Sequence, residues 1–394
     1  MTKRAYATII AGFFTVSIAY AIRYGYGMLL PEMLPALGIG KAQAGLIFAA
    51  YFVVYTAATP LLGAMSDRYN YRVILILFTL ILAGGASMMA FARNLWQACL
   101  FFAIAGLGHA ACWAPVTALV QKWAPDHKRG MALSLVTMGV GLGIPLWGFL
   151  LPRIVAAADW RVGWLGMGLF GLAVSILNVV LVRNPLQEDD RGQCAKQTEA
   201  PFWHSYRDLF YNPVFWIIGT AYLLVGFNVL VPFTFLPVYA REILGLPYTS
   251  ATRFVAIIAL CGIGGQLTLG LISDALGRIR VMKMCGAIMG FGCLGMMLAH
   301  QPWTLYLCTG FYGLGYGAVW AVYGAAASDF FSKTQTGGIV GLWTVFLGVG
   351  SIVSPVVCGW TIDTTGSYSW ALLLGLGSGV LSAVVLLLVP GRLR

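Results

Sequence analysis

The chain has 394 residues, of which 60% are apolar or aromatic and only 9% carry charge, with a formal net charge of +11. A typical globular domain is about 25% charged, so this composition could not clothe a water-exposed surface of this size. Together with a mean hydropathy of +0.84, it excludes a soluble enzyme, a nucleic-acid binder and a disordered chain, and indicates a polytopic membrane protein.

A membrane-crossing helix needs about 20 mostly apolar residues. The apolar runs here are long and uninterrupted, whereas barrel strands would alternate in segments of about ten. Twelve spans are predicted, in order at 8–34, 42–65, 73–92, 96–122, 130–155, 162–183, 213–240, 250–272, 281–300, 303–328, 337–361 and 367–389. The fold class is therefore all-α, with a six-helix bundle over 1–183, a linker over 184–212 and a second six-helix bundle over 213–394. Glu188, Asp189, Asp190, Arg191 and Lys196 make the linker a solvated segment.

Lysine and arginine set the orientation. With both termini in the cytoplasm, Lys41, Arg93, Arg153, Arg161, Arg241 and Arg253 fall outside and Arg23 falls within the first span. The other seventeen of the 24 basic residues lie on the cytoplasmic side. Most of the positive charge is thus topogenic and says nothing about a nucleic-acid partner. The first span carries no A-x-A-like cleavage site and reads as an uncleaved helix. The eight cysteines show no paired spacing and read as apolar fillers, with no metal, haem or nucleotide motif beside them.

The halves repeat at one shift of 207 residues. Gly63, Ser66 and Asp67 recur as Gly270, Ser273 and Asp274; Gly106, Gly108 and Trp113 recur as Gly313, Gly315 and Trp320; Thr137, Gly141 and Gly143 recur as Thr344, Gly348 and Gly350. A shift that holds from the first spans of each half to the fifth places a pseudo-two-fold axis along the membrane normal and a site between the halves near the midplane.

The segment from Gly63 through Asp67 and Arg68 to Arg72, and its repeat from Gly270 through Asp274 and Arg278 to Arg280, resemble the loop that joins the second and third spans of each half in the major facilitator superfamily. Asn70 and Ala275 depart from that pattern. The resemblance covers the whole chain. It implies a fold whose spans 1, 2, 4, 5, 7, 8, 10 and 11 line a cavity. It also implies that Asp67, Arg68, Arg72, Asp274 and Arg278 latch the cytoplasmic side; the alternative is a tight turn with topogenic charge. Arg23-Tyr-Gly-Tyr-Gly in the first span, Lys122-Trp-Ala-Pro-Asp after the fourth and Asp159-Trp160-Arg161 before the sixth resemble bacterial oxalate/formate and monocarboxylate carriers.

Ionisable groups inside a bilayer are costly and need a reason. Arg23, His109 and Arg253 lie within spans, whereas every acidic residue sits at a span end or in a loop. A cavity with fixed positive charge and no answering carboxylate attracts anions, and a guanidinium can hold a carboxylate through two parallel hydrogen bonds. Arg23 is the expected anion ligand, unless it snorkels to the surface or caps a neighbouring helix. His109 can carry a proton, bind substrate or serve as a satisfied core side chain. His109 and Trp113, with their repeat mates Tyr316 and Trp320, form aromatic–polar faces, and Tyr26, Asn228, Gln266 and Tyr323 complete the candidate binding set; aromatic packing is the competing account.

These features predict a secondary carrier of a small organic anion, a monocarboxylate or short dicarboxylate, working by alternating access in a bacterial cytoplasmic membrane. Its expected partners are that anion, the lipid bilayer and a proton as coupling ion, with no cofactor and no nucleic acid, and the carrier is expected to be a monomer. Anion exchange is the nearest alternative. The run from Gly139 to Gly148 loosely resembles the glycine-proline motif of drug/proton antiporters, which leaves a proton-coupled drug exporter as a further reading. A transporter-like sensor has little support, because no signalling segment accompanies the spans.

Overall fold

In a computed structural model that describes residues 2–66, 70–125, 128–183, 209–331 and 336–390, each long apolar run is a helix, and twelve are long and apolar enough to cross a membrane. They are α1 (Lys3–Leu37), α2 (Lys41–Ser66), α3 (Tyr71–Met89), α4 (Leu95–Trp123), α5 (Arg129–Ala157), α6 (Trp160–Leu181), α7 (Pro213–Glu242), α8 (Tyr248–Leu276), α9 (Arg278–Leu298), α10 (Pro302–Phe330), α11 (Thr336–Thr365) and α12 (Tyr368–Val385). Most of the proposed linker, 184–208, lies outside the described residues, as does Cys194. The other seven cysteines are free thiols.

Local chemistry sets the ends. Asn70, Asn94, Asp159 and Asn212 accept backbone N–H bonds at the starts of α3, α4, α6 and α7, which satisfies donors that a helix leaves open. Gly38 closes α1 at φ 62°, a left-handed conformation that favours glycine.

Helices α1–α6 pack as one bundle and α7–α12 as the other. The bundles meet through three pairs: α2 on α11, α5 on α8 and α1 on α7. Glycines permit the closest approaches. A Cβ at Gly27 would lie 1.8 Å from the Phe233 carbonyl oxygen, and one at Gly45 would lie 2.1 Å from that of Pro355. The glycine run of α5 divides its work. Gly139 and Gly143 sit against α1, whereas Gly141 faces Ile263 and Gly148 faces Ala256 on α8 in the other bundle. One helix thus packs within its own half through one stripe and across the axis through another.

Within the second bundle, a Cβ at Gly317 would lie 1.8 Å from the Gly262 carbonyl oxygen, while one at Gly264 meets only Leu314 at 3.8 Å. Gly317→Ala is expected to destabilise the fold by about 1–3 kcal/mol or more, whereas Gly264→Ala stays near neutral. Thermal unfolding of the two variants in detergent checks the contrast.

One span differs from its expected form. α4 is continuous only over Leu95–Ala110, breaks at Ala111–Trp113 and resumes over Ala114–Trp123. Pro115 has no N–H to return to Ala111 and starts the second segment, while the Cys112 N–H tightens onto the His109 carbonyl at 2.9 Å. His109 and Trp113 therefore do not share one regular helix face. The repeat position of Pro115 is Val322, and α10 runs unbroken through it, so the pseudo-symmetry fails at this point.

Candidate substrate cavity between the two halves

A cavity of about 390 Å³ lies on the axis between the bundles, lined by α1, α2, α4, α5, α7, α8, α10 and α11. These are the eight helices implied by the sequence resemblance. The lining comes from the middle of each helix and from the part leading to the end where α1 begins: Tyr20 and Arg23 of α1, Tyr55 and Thr59 of α2, Thr117 of α4, Gln266 of α8 and Gly324 of α10.

The opposite end is closed by bonds between the bundles. Glu32 of α1 pairs with Arg241 of α7. Lys41 of α2 pairs with Glu242 of α7 at 3.2 Å, a carboxylate held within its own bundle by the Tyr368 hydroxyl of α12, which donates to it at 2.7 Å. The Tyr248 hydroxyl donates to the Met28 carbonyl at 2.9 Å. Asp363, at the end of α11, accepts from the backbone N–H groups of Lys41 at 3.0 Å and Ala42 at 2.8 Å. One half thus supplies the anionic cap for a helix N-terminus in the other.

Arg23 is the charged side chain of the wall, the only one among the described lining residues. It is 2% exposed. Its Nε donates to the Tyr51 hydroxyl at 3.2 Å. The guanidinium carbon lies 4.2 Å from the Tyr55 ring centre, 5.0 Å from that of Tyr20 and 5.1 Å from that of Phe52. Ring faces attract a cation, but they do not satisfy N–H donors, and Nη2 has no hydrogen-bond partner. A buried charge without a counter-ion is costly. Nη2 is thus an unsatisfied donor on a side chain of the cavity wall.

Behind Arg23, the Tyr51 oxygen lies 2.5 Å from His109 Nδ1. Tyr51 accepts from Arg23 and shares a hydrogen bond with His109 Nδ1 whose direction follows the imidazole tautomer. This defines a chain Arg23–Tyr51–His109. His109 is fully buried and does not line the cavity. It touches the lining through Tyr20, at 5.0 Å between ring centres, and Tyr55, at 5.2 Å.

The predicted residues Arg23, Trp113, Gln266, Tyr316, Trp320 and Tyr323 come together on this wall. Four others do not, and their expected placement is corrected: His109 stands behind the wall, as described, and the remaining three lie elsewhere. Tyr26 lies one turn closer to the closed end, where its hydroxyl donates to the Ala44 carbonyl at 2.7 Å and its ring stacks on Phe102. Asn228 faces back into its own bundle, with Nδ2 donating to the Gly375 carbonyl at 2.6 Å. Arg253 is exposed at the start of α8, away from the cavity.

Asp67 and Arg68 lie outside the described residues. The other loop residues bond within their own bundles. Arg72 donates to the Val179 carbonyl at 2.6 Å, and Arg278 pairs with Asp274 and, at 2.8 Å, with Asp329.

Sequence reasoning missed Tyr20, Tyr55 and Tyr222 on the wall and Tyr51 behind it. Tyr51 and Tyr55 are four apart on α2 and stack at 6.3 Å, a helical spacing visible in the sequence. What the sequence hid was that this face turns toward Arg23.

The sequence model of the Major Facilitator Superfamily matches residues 12–299 and 255–393. The chain belongs to the Major Facilitator Superfamily. Members of this superfamily are transporters, not enzymes. Among its relatives is a "Probable sulfoacetate transporter" of Cupriavidus necator, 25% identical, with 93% of this chain and 90% of that one aligned. A hexuronate transporter of Bacillus subtilis is 23% identical over 94% of this chain and 91% of its own. Monocarboxylate transporter 12 of Xenopus laevis is 22% identical over 83% and 76%. In fold, the chain resembles a bacterial homologue of the lysosomal transporter Spinster in an inward-facing, occupied conformation. That match has a TM-score of 0.79 at 15% identity and covers 98% of this chain and 95% of that one.

Proposed function

We propose that this superfamily member is a secondary transporter of a small organic anion, a monocarboxylate or a short dicarboxylate. The observation that carries the reading is Arg23: a buried guanidinium on the cavity wall with an unpartnered Nη2 and no carboxylate among the described lining residues. The relatives support it, since sulfoacetate, hexuronate and monocarboxylates are all organic anions. A drug exporter that exchanges a proton for a cation would need an acidic group in the cavity, so that reading loses support.

The excess of basic residues at the end where α1 begins supports a cytoplasmic N-terminus in a bacterial inner membrane, with the cavity open inward. In that reading the carrier is a monomer that alternates by rocking its halves around Arg23. The bonds at the closed end break in the outward-facing state, and Asp67, Arg68, Arg72, Asp274 and Arg278 then latch the cytoplasmic end. Transport is coupled to a proton, which offsets the charge of the anion.

Reconstituted protein should accumulate radiolabelled carboxylate or sulfonate substrates in proteoliposomes. Failure of a broad panel of such anions to enter would overturn the transport reading. With a symported proton, lowering the external pH by one unit should raise the initial uptake rate by up to about tenfold, the factor by which proton activity changes. A flat profile would remove proton coupling and favour anion exchange.

A further inference from the structure

Building on the anion-transport reading, we infer that the substrate is a monoanion with a flat, apolar body, such as an arylacetate-like carboxylate, and not a dianion. Two aromatic arcs face each other across the axis. Tyr20 and Trp113, with ring centres 6.3 Å apart, stand beside Tyr55 on the first half. On the second half, Tyr222 stacks on Tyr323 at 4.3 Å with 21° between planes and touches Trp320 edge-on at 6.3 Å. Arg23 lies against the first of these arcs, its guanidinium carbon 4.2 Å from the Tyr55 ring centre and 5.0 Å from that of Tyr20.

The chemistry of this wall is lopsided. Arg23 supplies one positive charge, which matches one carboxylate. A second carboxylate would lose its water without gaining a cation, at a cost that unpaired charge always carries in a desolvated site. The other polar side chains of the described lining are neutral: Gln266, Thr59, Thr117, Thr137, Thr344 and the tyrosines and tryptophans themselves. Ring faces instead offer contact to an apolar plane, and aromatic pairs gain beyond their buried area. A cavity of about 390 Å³ falls in the range that encloses ring-sized ligands, whereas acetate would leave most of it to water.

The test uses the full-length chain in lipid nanodiscs at neutral pH, titrated calorimetrically with phenylacetate, acetate, glucarate and the neutral phenylacetamide. Phenylacetate should bind at least about tenfold more tightly than acetate or glucarate, and phenylacetamide more weakly still. Trp320→Leu, or independently Tyr222→Leu should the first fail to fold, should shrink the phenylacetate-to-acetate affinity ratio by about tenfold. If acetate or glucarate binds as tightly as phenylacetate and Arg23→Gln abolishes that binding, the aromatic-substrate inference falls and anion transport stands. If phenylacetamide binds as well as phenylacetate, or no carboxylate binds, the anion reading falls with it.

Discussion

Arg23→Gln is expected to lower affinity for the transported anion by roughly 100-fold, about 3 kcal/mol, the scale for removing one partner of a desolvated charge pair. The effect should be large because no other cation lines the described cavity, so no neighbour can take over the carboxylate. The same substitution should leave the ligand-free protein as stable as before, or more so. Arg23 is buried with Nη2 unpaired, and removing an uncompensated buried charge relieves a desolvation cost. The two measurements together separate a ligand from a structural cation. Calorimetric titration should show the lost affinity, and thermal unfolding without ligand should show no loss of melting temperature. A drop in melting temperature with unchanged affinity would mean that Arg23 holds the fold through Tyr51 and the surrounding rings.

Asp363→Ala is expected to open the closed end. Asp363 reaches from α11 to the N-terminus of α2, where it caps two backbone N–H groups. A carboxylate at such a position contributes about 0.3–2 kcal/mol through the helix dipole and its hydrogen bonds, and here that energy holds one half against the other. Its loss should favour the state open at that end by several-fold to about 30-fold, while folding within each bundle is untouched. Combining it with Arg241→Ala, which removes the partner of Glu32, should move the equilibrium further. Pulsed electron spin measurements between labels at Ala36 and Ile243, both exposed at this end, in a cysteine-depleted background, should show a longer-distance population in the variants. Asp363→Asn, which keeps an acceptor but loses the charge, should fall between. Identical distance distributions in all forms would mean that the interface glycines, not Asp363, hold the end shut.

The sequence carried the architecture because a bilayer leaves a chain few options. Apolar length set the twelve spans, the shift of 207 residues set the two halves, and the isolation of Arg23 within the first span pointed to a residue that lines the cavity. Each is a one-dimensional property that lipid translates directly into structure. The break in α4 was written in Pro115, yet its repeat mate Val322 shows why symmetry alone misleads about an individual helix.

Only the tertiary structure decided which faces of the helices meet. Tyr26 and Arg23 lie three residues apart on α1, but one stacks on Phe102 and the other faces the cavity, because one turn along the axis separates closed packing from open space. His109 looked like a lining residue and proved to stand behind Tyr51. Asn228 looked like a substrate donor and was taken by the Gly375 carbonyl. Glu32, Arg241, Glu242 and Asp363 looked like scattered end charges and form the closure. Within a membrane every polar group seeks some partner, and composition cannot say which one lies within 3 Å; the crossing of helices from two distant halves does.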